Sequence, residues 1–232
     1  MTSADRRVGA GMAKQAQLRE QQLAGGARSA GWKAGFGTVS AMAKLGTDAP
    51  LAGFLTDATR VPDGGTVSIA GFAAPRLEPE VAVRLRGSIS PAATPGEILA
   101  AVEAVAPALE IVDMGPADDL EELLAANIFH RAFAIGPFAD ATPTTWDEIR
   151  VNVYISDADP QVGVDPAALL GRAQDILGGM ARQLPLAGAS FEAGDIVITG
   201  SVIPALELTG GEAVRVSLTT GDAVSVTIEP TG

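Results

Sequence analysis

The sequence predicts a mixed α/β protein that is helical at its N-terminal end and rich in strands at its C-terminal end. Residues 4–24 are rich in Ala, Gln, Arg and Glu, which favour a helix, and Gly25-Gly26 is a typical helix stop. From Gly194 onward, β-branched and apolar residues alternate with polar ones, as is typical of strands. Hydrophobic residues make up 47 % of the 232 residues, so the chain can build a large core.

Turns and short elements are expected to alternate after the first helix. The segment GWKAGFGT (31–38) is too short and too rich in glycine for a long element. PDGG (62–65) predicts a turn before a strand with the sequence TVSIAGF. PRLEPEVAVRL (75–85) predicts a further strand whose side chains point alternately to its two faces.

A helix is predicted to begin at Thr94. This residue is a suitable N-cap, and Pro95 and Glu97 would occupy the first and third helical positions. We expect Pro107 to end the helix. The segment ALEIVDM (108–114) then predicts a short buried strand.

The second half of the chain predicts a strand near residues 149–155, another helix and a series of strands. Asp165-Pro166 marks the expected beginning of the helix. Its apolar stripe would consist of Leu169, Leu170, Ala173, Ile176, Leu177 and Met180. The segments DIVITGSV, AVRVSL and AVSVTI predict three strands, and TTGD is expected to join the last two in a hairpin.

Composition and charge exclude several classes of function. There are 16 basic and 28 acidic residues, and a net charge of −12 argues against nucleic acid as a partner. The absence of cysteine excludes disulfides, thiolate zinc sites and a cysteine nucleophile. No apolar run of about 18 residues and no signal segment occurs, so we expect a cytoplasmic protein without a membrane partner. With one histidine in the chain, a metal would be held mainly by oxygen.

Three glutamates stand in apolar strand contexts. Glu78 and Glu80 lie about 7 Å apart on one side of the predicted strand 75–85. Glu110 lies between Leu109 and Ile111, where an unpaired charge would be costly to bury. Taken separately, these residues are also explained by a solvated strand face or by a strand end that reaches solvent or an arginine.

Taken together, the three carboxylates favour a metal site. Carboxylates without His or Cys suit the octahedral coordination of Mg²⁺ or Mn²⁺. Such a site leaves positions open for water or for a chelating ligand. A 2-oxo acid is a natural bidentate ligand, because it offers one carboxylate oxygen and one ketone oxygen.

The sequence around these glutamates resembles the fumarylacetoacetate hydrolase superfamily, and in particular its 2-keto-4-pentenoate hydratase and 4-oxalocrotonate decarboxylase branch. The EPE at 78–80 and the PALEIVD at 107–113 match that branch in order and spacing. Four further stretches match in order: GARSAGWKAGFGT (26–38), PLAGFLTD (50–57), NIFHRAFAIG (127–136) and GDIVITGSV (194–202). The resemblance runs from about residue 20 to the C-terminus.

The resemblance implies a set of site residues. Glu78, Glu80 and Glu110 would be the metal ligands. Lys33 would lie near the substrate, where its ammonium binds a carboxylate or shuttles a proton. Asp57 matches an acidic family position that pairs with the lysine or relays protons.

Three further positions are implied to bind substrate. Asn127 is the residue that this chain retains from a family motif. Thr199 and Gly200 correspond to a strand end that approaches the substrate. A Thr-Gly-Ser sequence within a strand also predicts a bulge or a close backbone approach, or simply a glycine that ends the strand.

The sequence departs from the family at two places. ANIFH (126–130) replaces Asp-Asn-Ala-Ser, so the expected acid and serine are absent. Asp113-Met114-Gly115 replaces Asp-Ser-Arg, so an arginine that could bind a second carboxylate is missing. His130 is a candidate for a general acid or base in place of the lost groups, or else a hydrogen-bonded structural histidine.

The resemblance also implies a fold and a reaction. The fold would be a strongly curved, mostly antiparallel β-roll with flanking helices, in one domain with a helical part (1–60) packed on a catalytic part (61–232). Members of the family usually form dimers or larger homo-oligomers. The expected reaction is a hydratase-type lyase reaction on a small 2-oxo acid through a metal-stabilised enolate. A decarboxylase, an acylpyruvate-type hydrolase and an inactive binding homologue are the alternatives, in that order.

Overall fold

The fold is taken from a computed structural model, which describes residues 3–115, 119–141, 148–156 and 158–230. Within these residues, six α-helices form: α1 (Ser3–Ala24), α2 (Val39–Leu45), α3 (Pro95–Ala101), α4 (Leu120–Ala125), α5 (Ala167–Leu170) and α6 (Ala173–Gln183). Short 3-10 turns are Asp57–Thr59, Asn127–Phe129 and Leu184–Ala187.

The strands of the same residues form two sheets. They are β1 (Ser29–Gly35), β2 (Leu51–Thr56), β3 (Gly65–Val67), β4 (Pro75–Leu85), β5 (Val102–Asp113), β6 (His130–Ile135), β7 (Ala139–Asp140), β8 (Val151–Ile155), β9 (Gln161–Val164), β10 (Ile196–Ser201), β11 (Leu206–Glu207), β12 (Ala213–Leu218) and β13 (Ala223–Ile228). The larger sheet has the order β2-β1-β10-β4-β5-β6, with β11 beside β4 and β7 beside β5. The smaller sheet has the order β3-β13-β12-β8-β9. Pairing is antiparallel except between β1 and β10 and between β3 and β13.

The two longest strands pair with each other and form the centre of the larger sheet. Strand β4 confirms the strand predicted over residues 75–85. Val81, Val83 and Leu85 point into the main hydrophobic core, whereas Ala82 belongs to a separate apolar cluster on the opposite face. Because directions alternate along a strand, Glu78 and Glu80 lie on the same face as Ala82.

The helix predicted from Thr94 forms, but it is shorter than expected. Thr94 and Glu97 make the predicted capping box, and α3 ends at Ala101. The prediction that Pro107 ends the helix is wrong, since Pro107 lies within β5, opposite Val81. The proline is tolerated because its neighbour changes there from β6 to β7, and its carbonyl accepts the Gly136 N–H.

Two other elements differ from the prediction. Residues 31–38 were expected to form no long element, yet most of them belong to β1, which pairs with β2 and β10 inside the larger sheet. The first 60 residues are therefore not purely helical. The helix expected after Asp165-Pro166 is divided into α5 and α6 by Gly171, which has a φ of 80°. We propose that both sheets and their helices form one domain over residues 1–232.

Among the described residues, no helix is both long enough and apolar enough to cross a membrane.

Candidate metal and active site

The register between β4 and β5 brings the three predicted glutamates together. Glu78 is directly opposite Glu110, and Glu80 follows two residues later on the same face. One carboxylate oxygen from each of the three lies within 4.8 Å of the others. Glu80 and Glu110 are fully buried, and Glu78 is partly exposed.

In two of the three carboxylates, one oxygen accepts hydrogen bonds and the other is available to bind a cation. Glu80 Oε2 accepts the Gly200 N–H at 2.6 Å, and Glu110 Oε1 accepts hydrogen bonds from Lys33 and His130. The other oxygens, Glu80 Oε1 and Glu110 Oε2, are buried and have no hydrogen-bond partner in the described part of the chain. Buried acceptors without a donor are rare, and three carboxylates are the ligand type that Mg²⁺, Mn²⁺ and Ca²⁺ prefer. The residues therefore fit a divalent cation.

The charges of the cluster are poorly balanced without a cation. Burial, together with the negative charge of Glu110, raises the pKa of Glu78 to about 7. Burial and the charges of Glu110 and Glu78 raise the pKa of Glu80 well above its ordinary value. Burial alone would raise the pKa of Glu110 as well, but the Lys33 ammonium and the hydrogen bond from His130 hold it below its usual value. A bound dication would favour the ionised form of all three.

The raised pKa of Glu78 predicts that the metal-free protein loses stability as the pH rises. The folded state binds the Glu78 proton up to about pH 7, whereas the unfolded chain releases it near the ordinary value of 4.5. Folding stability should therefore fall across this window and then level off, by roughly 3 kcal/mol for this group. Urea unfolding in EDTA at about pH 5 and about pH 8 measures the change.

The Glu78→Gln variant is the matched control, because it removes the titrating group without changing its size. Its stability should fall less between the two pH values than that of the wild type. Equal losses in both proteins would show that Glu78 has an ordinary pKa. Saturating Mg²⁺ should stabilise the wild type more at the higher pH, since protons compete with the cation.

Lys33 lies in the middle of β1, between Gly53 of β2 and Ile198 of β10. Its side chain is buried, yet it also lines the cavity in front of the glutamates. Nζ donates to Glu110 Oε1 and, at 3.2 Å, to the Ile128 carbonyl. An ammonium has three donors, so one remains for a ligand in the cavity.

Gly53 makes room for this lysine. A Cβ at position 53 would lie 2.8 Å from Lys33 Cγ and 2.9 Å from Asn127 Oδ1. A larger residue would therefore displace the lysine or the asparagine. Gly53 was not predicted as a site residue, although a glycine inside an apolar strand is a signal of close approach.

The Ile128 carbonyl is directed to Lys33 by a strained turn. Asn127, Ile128 and Phe129 have φ values of 51°, 53° and 62°, a left-handed conformation that L-residues rarely adopt. The Asn127 amide anchors the turn, because it accepts the Phe54 N–H and donates to the Phe54 carbonyl, both at 2.9 Å. Strain of this kind persists where the surrounding structure enforces it, often at a functional site.

His130 lies behind Glu110 rather than in the cavity lining. Nδ1 is 2.7 Å from Glu110 Oε1, and Nε2 is 2.9 Å from the Thr59 hydroxyl, which also lies 3.0 Å from the Thr56 carbonyl. Burial lowers the pKa of His130, and the Glu110 charge only partly opposes this. A role as general acid or base stays a prediction. The contacts favour a positioning role, in which the ring holds one oxygen of Glu110 and leaves the other for the cation.

This arrangement predicts that His130→Leu weakens Mn²⁺ binding about 10- to 100-fold, as is usual when the partner of a metal ligand is lost. The His130→Asn variant is the matched control. Its amide N–H can occupy the position of Nδ1 and should restore most of the affinity. Calorimetric titration with Mn²⁺ measures both variants. Wild-type affinity in a folded His130→Leu protein would exclude the positioning role.

The predicted bulge at the Thr-Gly-Ser sequence is confirmed. The register between β10 and β4 shifts between Ile198 and Ser201. Gly200 has a φ of 99°, lines the cavity and donates its N–H to Glu80. The Thr199 hydroxyl donates to the Val81 carbonyl at 2.9 Å, so it supports the bulge. Substrate binding by Thr199 and Gly200 stays a prediction.

Two predicted residues have partners outside the cavity lining. Asp57 was expected to pair with the active-site lysine or to relay protons, and it accepts the backbone N–H and the Nε–H of Arg28, both at 2.8 Å. The reason is that Asp57 begins a 3-10 turn beyond the end of β2, whereas Lys33 is in mid-strand. A catalytic role for Asp57 is an untested prediction that these contacts do not favour. The Asn127 amide is likewise used by Phe54, and its binding of substrate stays a prediction.

The cavity in front of Lys33 and Glu78 suits a small acid. Its volume is about 170 Å³, below the roughly 300–1,000 Å³ of sites for drug-sized ligands. Much of the wall is apolar and includes Phe36, Val112, Met114, Phe129, Leu169 and Ile203. The cavity therefore suits a ligand whose acidic end contacts the cation and the Lys33 ammonium and whose other end is apolar.

Comparison with known proteins places this geometry in a family context. The sequence model of the fumarylacetoacetate (FAA) hydrolase C-terminal family matches residues 9–232. A 4-oxalocrotonate decarboxylase of a Pseudomonas species is 33% identical over 193 residues, which cover 82% of this chain and 75% of that protein. A 2-hydroxyhexa-2,4-dienoate hydratase of Comamonas testosteroni is 31% identical over 203 residues, which cover 84% of this chain and 75% of that one.

The fold is also similar to a solved structure. The 4-oxalocrotonate decarboxylase from Pseudomonas putida G7, in complex with magnesium and adipate, superimposes with a TM-score of 0.82. The two chains are 26% identical, and the similarity covers 92% of this chain and 83% of that one. The predicted mixed α/β fold, a curved β-roll with flanking helices and an N-terminal helix, is thereby confirmed.

Proposed function

Because the chain belongs to the fumarylacetoacetate hydrolase family, we propose that it is a divalent-cation-dependent lyase that acts on a small 2-oxo acid. The observation that carries this proposal is the buried cluster of Glu78, Glu80 and Glu110 beside the ammonium of Lys33. A Mg²⁺ or Mn²⁺ ion held there would supply a Lewis acid that binds the 2-oxo carboxylate and stabilises the enolate.

The chain's own residues would provide the remaining functions. The free donor of Lys33 can hold the substrate carboxylate or deliver a proton to the enolate carbon. The Gly200 N–H and His130 orient two of the ligands, because each donates to a glutamate oxygen that does not face the cation. The apolar wall would contact the tail of the acid and keep bulk water out of the site.

We rank a hydratase reaction first, and the apolar cavity wall favours it. Such a wall suits a short unsaturated tail, as in the 2-keto-4-pentenoate that names several relatives of this chain. A decarboxylase is the second candidate, because a 4-oxalocrotonate decarboxylase is 33% identical and a second one superimposes well. The hydratase would add water to the carbon–carbon double bond of the acid, and the decarboxylase would release CO₂ from it.

An acylpyruvate-type hydrolase is less well supported. The relatives that are 31–33% identical to this chain are a hydratase and a decarboxylase, and neither is a hydrolase of this type. An inactive homologue that only binds ligand is the last alternative.

Turnover assays distinguish these reactions. The Mg²⁺-loaded protein is incubated separately with 2-keto-4-pentenoate and 4-oxalocrotonate, and the products are identified by mass spectrometry. We expect addition of water to 2-keto-4-pentenoate, and none when EDTA is present. Loss of CO₂ from 4-oxalocrotonate as the only reaction would favour the decarboxylase. No conversion of either acid would contradict the lyase proposal.

We also propose that the protein is a homo-oligomer, as its family resemblance implies, and that it is cytoplasmic. Light scattering of the purified protein tests the oligomeric state, and a monomer at all concentrations would contradict it. Fractionation of the source cells tests the location.

A further inference from the structure

We infer that the cavity selects 2-oxo acids with an uncharged tail and rejects the matching dicarboxylates, and that Met114 and Phe129 set this preference. The inference rests on the proposed function, since it concerns the part of the substrate that does not bind the cation. It narrows the substrate class to monocarboxylic 2-oxo acids.

The first observation is the charge of the cavity lining. Among the described residues that line it, Lys33 and Glu78 are the charged ones, and both belong to the cation end of the site. No other lining residue is basic. The chain outside the described ranges contains no Lys or Arg in its sequence. A second substrate carboxylate would therefore find no cation of this chain in the wall.

The hydroxyl groups of the wall are already engaged. The Thr38 hydroxyl accepts the Ala41 N–H as the N-cap of α2. The Ser201 hydroxyl donates to the Ile203 carbonyl at 2.7 Å. The Thr38 hydroxyl also lies 3.2 Å from the Ser40 hydroxyl. Both hydroxyls of the wall therefore have partners within the protein, so the wall offers little to replace the water around a carboxylate.

Two arginines on the strands next to the site have other partners. Arg131 lies 3.6 Å from Asp113 and stacks on Phe72, and its side chain is about half exposed. Arg76 is near Glu207 and bonds to the carbonyl of Pro75. Neither arginine is among the residues that line the cavity.

An apolar contact between Phe129 and Gly115 fills part of the cavity wall. The Phe129 ring lies over Gly115, so that a Cβ at position 115 would be only 3.1 Å from the ring. The strained turn at residues 127–129 holds this phenylalanine in place, and Met114 lines the cavity beside it. A carboxylate placed against these two side chains would lose its water without gaining a partner.

The preference can be measured with two acids of equal chain length. Calorimetric titration of the Mn²⁺-loaded protein with 2-oxopentanoate and 2-oxoglutarate compares tails that differ in one carboxylate. Pyruvate, which lacks the longer tail, is titrated as the reference acid. We expect 2-oxopentanoate to bind about 100-fold more tightly, because desolvation of an unpaired carboxylate opposes the other acid. The Met114→Arg variant should raise the affinity for 2-oxoglutarate at least about tenfold. The Met114→Leu variant, which adds no charge, should keep the preference for the uncharged tail.

The outcomes separate the inference from the proposed function. Cation-dependent binding of pyruvate and 2-oxopentanoate, with equal or tighter binding of 2-oxoglutarate, would overturn the inference and leave the proposed function standing. An unchanged affinity for 2-oxoglutarate in folded Met114→Arg would overturn the role of Met114. If none of the three acids binds in a cation-dependent manner, the proposed function fails and the inference fails with it.

Discussion

Replacing Glu80 by Gln should weaken the binding of Mn²⁺ and Mg²⁺ by more than about 100-fold. Glu80 is fully buried, and its Oε1 has no hydrogen-bond partner among the described residues. The glutamine has the same shape but lacks the charge, and its neutral amide oxygen is a weaker ligand than a carboxylate for a hard cation. Loss of a ligand should exceed the 10- to 100-fold effect that is typical of its hydrogen-bond partners. Calorimetric titration with Mn²⁺ measures the affinity.

Two controls show whether the loss is specific. The Glu103→Gln variant removes a surface carboxylate that pairs with Arg84, and it should bind Mn²⁺ as the wild type does. The metal-free Glu80→Gln protein should melt at or above the wild-type temperature, because burial already disfavours the charged form of Glu80. Unchanged Mn²⁺ affinity in a folded Glu80→Gln protein would show that the cation binds elsewhere.

Replacing Lys33 by Met should reduce catalysis by about 100- to 10,000-fold while the protein still binds Mn²⁺. Lys33 is 1% exposed and is the basic residue of the cavity lining. Its loss removes the donor that holds the substrate carboxylate or moves a proton, and general acid-base groups typically contribute this much. Exchange of the pyruvate methyl protons with D₂O, followed by NMR in the presence of Mg²⁺, measures enolisation directly.

The same substitution should also affect stability. Without Lys33, Glu110 is left as a buried carboxylate that lacks its cationic partner, which typically destabilises a protein by about 3–5 kcal/mol. The Lys33→Arg variant keeps the charge and should be the more stable of the two, but its planar head differs in shape and should restore little exchange. Wild-type exchange in Lys33→Met would show that another group moves the proton.

Local sequence patterns were sufficient for much of the fold. The helix formers before Gly25 predicted α1, and the alternation in 75–85 predicted β4. They failed for β1, because glycines that weaken a strand in isolation are required here for close approach to neighbouring strands. A Cβ at Gly31, for example, would lie 2.1 Å from the Ile196 carbonyl oxygen. The prediction that Pro107 ends a helix is wrong for a related reason. Only the position of the neighbouring strands shows that its missing N–H is tolerated within a strand.

The candidate site was predictable where the signal was local. Alternation placed Glu78 and Glu80 on one face, and the apolar neighbours of Glu110 made its charge conspicuous. Glu110 lies opposite Glu78 because of the register between β4 and β5, and the sequence did not predict this register. The contact between His130 and Glu110 depends on a register shift in β6, and the left-handed turn before it contains no glycine. No local pattern indicates either feature.

The binding of oxalate with and without Mg²⁺ tests most directly the central claim, that three carboxylates hold a cation to which a 2-oxo acid binds. Oxalate offers two adjacent oxygen ligands and cannot react further, so its binding does not depend on the reaction that the protein catalyses. Calorimetry of the wild-type protein should detect one oxalate per chain in Mg²⁺ and no binding in EDTA. Equal affinity under the two conditions, or no binding in Mg²⁺, would contradict the claim.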